Sequence, residues 1–189
     1  PDGATKAAHF LQLCDHTNTP IIFLNNTTGF MVGKDYEHKG MIKHGSKMIQ
    51  AVTNINVPKI SFYVGASFGA GNYGMCGYAF KPDFLFSWPN ATTGVMGGQQ
   101  AAFTMEQVMV NAAKRRGIAL KTKPLKKQIQ EITERFDSQS NAFLTSGRLL
   151  DHGMIDPRDT RQVIGFCLNI CQEGRARKLK SNSFGIARM

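Results

Sequence analysis

Apolar positions along the chain fall into short strand-like runs separated by helical stripes. Four runs read as strands because each is brief and rich in β-branched or aromatic residues: Ile21–Leu24, Ile60–Val64, Phe84–Ser87 and Gly94–Met96. Ahead of the first, Ala7, Phe10, Leu11 and Cys14 recur at helical spacing behind Asp2, a residue able to cap a helix. Met41, Ile42, Gly45, Met48, Ile49 and Val52 form a second stripe, in which Gly45 permits close packing. From Gln99 onward helices take over: Leu125, Ile129, Ile132 and Phe136 mark one amphipathic stretch. Asp156-Pro157 opens the last helix, whose stripe is Val163, Cys167 and Ile170. Such alternation predicts an α/β architecture with helices covering a sheet.

The chain is organised around Pro58–Met75. After the apolar strand, Gly65, Gly69, Gly71 and Gly74 alternate with small residues, so the backbone can turn sharply and approach another molecule. A helix starting near Gly71 would leave its first N–H groups unpartnered, which is a natural seat for a developing oxyanion. The plainer reading is a tight strand-to-helix crossover packed for its own sake. Two other segments sit where binding loops belong: Asn25–Gly33, directly after the first strand, and Gly97-Gly98, after the fourth.

Composition narrows the choice. The chain has 189 residues, 42% of them hydrophobic, enough for one well-buried core. It opens on Pro1-Asp2-Gly3, as expected of a piece of a longer protein. Neither a signal peptide nor a membrane-spanning apolar run is present. Cys14, Cys76, Cys167 and Cys171 contain no Cys-x-x-Cys pair, and the five histidines lack ligand spacing, so buried thiols are expected and a metal site is not. The net charge of +10 gathers at Lys114–Arg116, Lys121–Lys127 and Arg175–Lys180 without interleaved aromatics. That pattern fits a solvated surface or attraction to a phosphate-bearing small molecule better than nucleic acid.

Gly65-Ala66-Ser67-Phe68-Gly69-Ala70-Gly71-Asn72-Tyr73-Gly74-Met75-Cys76-Gly77, followed by Ser87-Trp88-Pro89-Asn90-Ala91 and Val95-Met96-Gly97-Gly98, resembles the carboxyltransferase β subunit of biotin-dependent acyl-CoA carboxylases. Thr28–Gly33, Gly40–Met48 and Gly147–Pro157 resemble it as well. Within the family, the Gly-Asn-Tyr-Gly-Met-Cys-Gly version is most similar to 3-methylcrotonyl-CoA carboxylase and geranyl-CoA carboxylase. The resemblance implies a crotonase-like fold of repeated ββα units. It also implies that residues 1–189 are the C-terminal, biotin-binding domain, with an N-terminal carboxyltransferase domain absent.

The implied chemistry is transfer of CO2 from carboxybiotin on a separate carrier to an acyl-CoA, with 3-methylcrotonyl-CoA the expected substrate. Backbone amides matching Ala70 and Gly71 would bind the ureido oxygen of biotin, converging at the mouth of a cleft. Gly29, Phe30, Gly69, Asn72, Gly97 and Gly98 would line the biotin site. Valine at Gly71 is expected to block that point while sparing the core. Implied partners are the N-terminal domain, the biotin carboxylase and carrier (α) subunit, and further β subunits in a homo-oligomer. The compartment would be bacterial cytoplasm or mitochondrial matrix, and the isolated chain is expected to be inactive.

Absences agree with that division of labour. No Gly-x-x-x-x-Gly-Lys-Ser/Thr loop for ATP is present, nor a biotin-accepting Met-Lys-Met. Alternatives are a geranyl-CoA or propionyl-CoA carboxylase β subunit, a biotin-independent crotonase-type hydratase or isomerase, and a non-catalytic CoA- or carrier-binding scaffold.

Overall fold

The computed structural model describes residues 1–117, 122–181 and 185. In chain order the elements are α1 (Asp2–His16), β1 (Ile21–Thr27), α2 (Lys34–His38), α3 (Met41–Asn54), β2 (Lys59–Phe68), α4 (Gly69–Gly74), β3 (Phe84–Ser87) and β4 (Thr92–Gly94). Four helices follow: α5 (Gly98–Arg116), α6 (Thr122–Ser140), α7 (Ala142–Gly147) and α8 (Thr160–Ala176). Lys121, in the second basic group, lies outside the described residues, as do 182–184 and 186–189.

A parallel sheet in the order β1-β2-β3 forms the centre, and β4 pairs with the far half of β2. Ile21 and Phe23 face Leu11 and Cys14 of α1 and Ala51 and Val52 of α3. On the opposite face, Ile60, Phe62, Phe84 and Phe86 meet Val163, Ile164, Cys167 and Leu168 of α8. The central strand is buried on both sides over its first half, as a covered parallel strand requires. The edge strand β1 is buried on one side only, with Leu24 53% exposed.

Several boundaries differ from expectation. The second strand does not stop at Val64: Asn25 pairs with Tyr63 but Thr27 pairs with Ser67, so β2 slips register at Gly65 and continues. The Asn26 carboxamide fills this irregularity, its Oδ1 accepting from the Ala66 N–H at 3.2 Å. The fourth strand is shifted to Thr92–Gly94, leaving Val95 76% exposed. Asp2 does not cap α1, which begins on it behind Pro1. The buried stripe of α1 is Ala4, Ala8, Leu11 and Cys14, and Phe10 is 58% exposed. Small residues win there because α1 and α3 lie close together, and a ring on that face would hold them apart. Likewise Ile42, Phe136 and Ile170 are exposed rather than core.

After β3 the chain makes a further pass along the same edge. The Ser87 N–H donates to the Gly153 carbonyl at 3.1 Å and the Ile155 N–H to the Ser87 carbonyl at 3.0 Å. Residues 151–155 thereby extend the sheet. Asp156 accepts from the Arg158 N–H at 2.9 Å, so the expected start at Asp156-Pro157 is a 3₁₀ turn leading into α8.

Candidate active site

The strand-to-helix turn is made at Gly69, two residues earlier than expected. Phe68 is still extended, and Gly69 has φ +53°, a left-handed conformation that glycine adopts without a Cβ penalty. A Cβ at Gly69 would also lie 2.9 Å from the Val95 carbonyl oxygen. The turn thus needs glycine on two counts. Because α4 begins there, the N–H groups of Ala70 and Gly71 lie in its first turn, where the helix itself offers them no partner, and neither donates to a side chain among the described residues.

Ala70 is exposed and Gly71 is buried. Gly69, Ala70 and Asn72 line an open cavity of about 560 Å³ together with Tyr73, Thr93 and Val95. Gly71 lines a second hollow of about 360 Å³ with Gly29, Phe30 and Gly74. In that second hollow the missing side chains admit neighbours. A Cβ on Gly71 would be 2.8 Å from the Gly29 Cα, and one on Gly74 would be 2.9 Å from the Phe30 ring. The glycine run therefore does both things weighed for it in sequence. One side packs against the loop after β1, and the other leaves an amide beside open space.

Gly29 and Phe30 accordingly stand behind the turn, against Gly71 and Gly74. Gly97 precedes α5 and lies near the Phe68 ring, while the Gly98 N–H donates to Asp137 Oδ1 at 3.2 Å. Gly98 is thus held by α6, and neither glycine borders the cavity at Ala70.

Both hydrogens of the Asn72 carboxamide are committed inside the protein. Its Nδ2 donates to the Tyr63 hydroxyl and to Ser67 Oγ, both at 2.9 Å. Ser67 Oγ donates to Asn25 Oδ1 at 3.2 Å, and Asn25 Nδ2 donates to the Met75 carbonyl at 3.1 Å. Sequence reasoning missed Tyr63, Ser67 and Asn25. The available signal was polar residues in strands whose neighbours are apolar, since a buried polar group must find a partner. Burial pushes the Tyr63 phenol above its ordinary value, so it stays protonated at neutral pH.

A serine, an aspartate and a histidine do meet beneath β3, yet not as a nucleophilic triad. Ser87 Oγ donates to Asp151 Oδ2 at 2.5 Å, and His152 Nδ1 accepts from the Leu85 N–H at 2.9 Å. The serine proton goes to the carboxylate and the imidazole is capped by backbone, so no base addresses the hydroxyl. Cys14, Cys76 and Cys167 are buried free thiols and Cys171 is half-buried. Among the described residues no cluster of His, Cys, Asp and Glu could hold a metal, and no helix is long and apolar enough to cross a membrane.

A parallel sheet that delivers a glycine turn and the start of a helix to an open cavity defines a crotonase-like domain. Residues 1–185 match the carboxyl transferase domain family, and the chain belongs to it. It is 47% identical over 188 residues to a probable biotin-dependent acyl-coenzyme A carboxylase beta2 subunit of Mycobacterium tuberculosis, covering 100% of this chain and 35% of that protein. It is 44% identical to the mitochondrial methylcrotonoyl-CoA carboxylase beta chain of Arabidopsis thaliana, covering 100% of this chain and 32% of that one. The crystal structure of the P. aeruginosa geranyl-CoA carboxylase beta subunit superposes with a TM-score of 0.91 at 50% identity, covering 100% of this chain and 35% of that subunit. The chain thus spans about a third of the length of these relatives.

Proposed function

We propose that this chain is the biotin-facing, C-terminal domain of an acyl-CoA carboxyltransferase, moving a carboxyl group from biotin on a separate carrier to an acyl-CoA. The observation that carries this reading is the turn itself: Ala70 is exposed beside the cavity, and the Ala70 and Gly71 N–H groups lie in the first turn of α4, where the helix offers them no partner. Those two amides would hold negative charge on the ureido oxygen, in fixed positions needing no reorganisation. Gly69 sets the direction of the turn, and Gly29 and Phe30 back it from the far side. Biotin, when bound, supplies the CO2-carrying nitrogen and the base; the protein supplies position and electrostatics. The residues present fit that role, since an anion needs donors and the cavity lining contains no carboxylate among the described residues.

The same lining counts against a biotin-independent hydratase or isomerase, which would need its own acid and base beside the amides. The substrate is proposed as a 3-methyl-2-enoyl-CoA, the head group common to 3-methylcrotonyl-CoA and geranyl-CoA. The relatives include a geranyl-CoA carboxylase subunit at 50% identity and a plant methylcrotonoyl-CoA carboxylase chain at 44%, so geranyl-CoA stands beside 3-methylcrotonyl-CoA as a proposed substrate. An N-terminal domain, an α subunit and further β subunits are the proposed partners. Exposed apolar residues on the described surface, Ile22, Leu24, Val95 and Leu149 among them, give such partners a place to pack. Bacterial cytoplasm and mitochondrial matrix both remain in keeping with the relatives named above.

The test is Ala70→Pro in the full-length subunit assembled with its carrier. Proline suits the first turn of a helix and deletes one N–H. Transfer is expected to fall by roughly a hundredfold or more, with acyl-CoA binding retained. A folded variant transferring at close to the wild-type rate overturns the assignment.

A further inference from the structure

A six-residue helix cannot hold its own amides in register, because helix formation rewards only longer segments. Something else must fix α4, and the structure shows a chain of side chains that braces both of its ends. Asn72 spends both hydrogens of its carboxamide, one on the Tyr63 hydroxyl and one on Ser67 Oγ, each at 2.9 Å. Tyr63 also accepts from the Tyr78 N–H at 3.3 Å, which ties down the segment after the helix. Through Ser67 and Asn25 the chain crosses to β1 and returns to the Met75 carbonyl at the C-terminal end of α4. Asn25 and Ser67 are fully buried, so the bond between them is protected from water. Gly77 completes the fit: any side chain there would put its Cβ onto the Asn72 carboxamide, and the Gly77 N–H donates to the Asn72 carbonyl at 2.8 Å.

We propose that Asn72, held by the Tyr63 hydroxyl, is a positioning residue that sets the Ala70 and Gly71 amides without touching the ligand. This rests on the carboxyltransferase reading above. Asn72 was expected among the biotin-binding residues, but both hydrogens of its carboxamide are spent within the protein. Tyr63, a strand residue with no role in that expectation, becomes the anchor. The cost of losing it is geometric, since small displacements of a donor at a reacting centre are large in rate.

The experiment compares Tyr63→Phe, Asn72→Asp and Ala70→Pro in the full-length subunit with its carrier, using geranyl-CoA and 3-methylcrotonyl-CoA as acceptors. Tyr63→Phe keeps the ring and removes the acceptor; kcat is expected to fall about tenfold with the acyl-CoA KM unchanged. Asn72→Asp keeps the shape but can donate only while protonated. Its activity should fall as pH rises through the titration of the new carboxyl, a limb absent from the wild type. Circular dichroism confirms that each variant is folded, and Tyr63→Phe decides alone if Asn72→Asp is not. If Tyr63→Phe retains wild-type kcat while Ala70→Pro is inactive, the amide site stands and the positioning role falls. A defect confined to the acyl-CoA KM overturns it too. If Ala70→Pro is active, the turn is not the site and both proposals fall together.

Discussion

The Cα of Gly29 lies 2.8 Å from where a Cβ on Gly71 would sit, so the start of α4 and the loop after β1 pack backbone against backbone. Gly71→Val was expected to block the amide site while sparing the core; the structure places that valine against the Gly29 loop instead. Overpacking of this kind costs about 1–3 kcal/mol. Gly71→Val should therefore unfold at a lower denaturant midpoint than the wild type, whereas Ala70→Pro, at an exposed position, should not. Equal midpoints for Gly71→Val and wild type would contradict the contact. Loss of transfer in Gly71→Val consequently reports on packing as well as on the amide.

Ser87 and Asp151 form a buried pair that stitches residues 151–155 to β3. Ser87→Ala leaves the carboxylate with the Gly153 N–H, at 3.0 Å, as its remaining partner in the described protein. An under-satisfied buried acceptor costs about 1–3 kcal/mol. The variant is expected to be less stable, with faster hydrogen exchange at the Ile155 and Ser87 amides. Transfer by the folded fraction should persist, because the serine proton is already engaged by a carboxylate. Complete loss of transfer in a folded Ser87→Ala protein would assign the hydroxyl a chemical role.

Burial pushes the Cys76 thiol up from its ordinary value near 9 to about 11. Since the folded value is the higher, the stabilisation is fully present below pH 9. It is then lost progressively as pH rises from about 9 to about 11, because the unfolded chain ionises first. Two pKa units correspond to about 3 kcal/mol. Urea melts between pH 8 and pH 11 should show this loss, and Cys76→Ser should flatten it. Alkylation of Cys76 at neutral pH should wait on unfolding, while half-buried Cys171 reacts sooner.

The local pattern sufficed for Phe84–Ser87, whose bounds agree with the structure, because a short aromatic run between turn residues has few other states open to it. It also sufficed for the α/β class and for a strand running into a helix at the glycine run. The family-specific run from Gly65 to Gly77 carried the rest of the identification. What it could not supply were facts that belong to pairs of distant residues. That β2 runs on past Gly65 depends on β4 and Asn26, which offer it partners from elsewhere in the chain. That Ala8 rather than Phe10 faces the core depends on how near α3 lies, since helical spacing gives a stripe without saying which edge of it is covered. Asn72 carries a side chain that sequence alone reads as ligand-seeking. Only the fold brings Tyr63, Ser67 and Gly77 around it, and a carboxamide already holding two acceptors has become part of the frame.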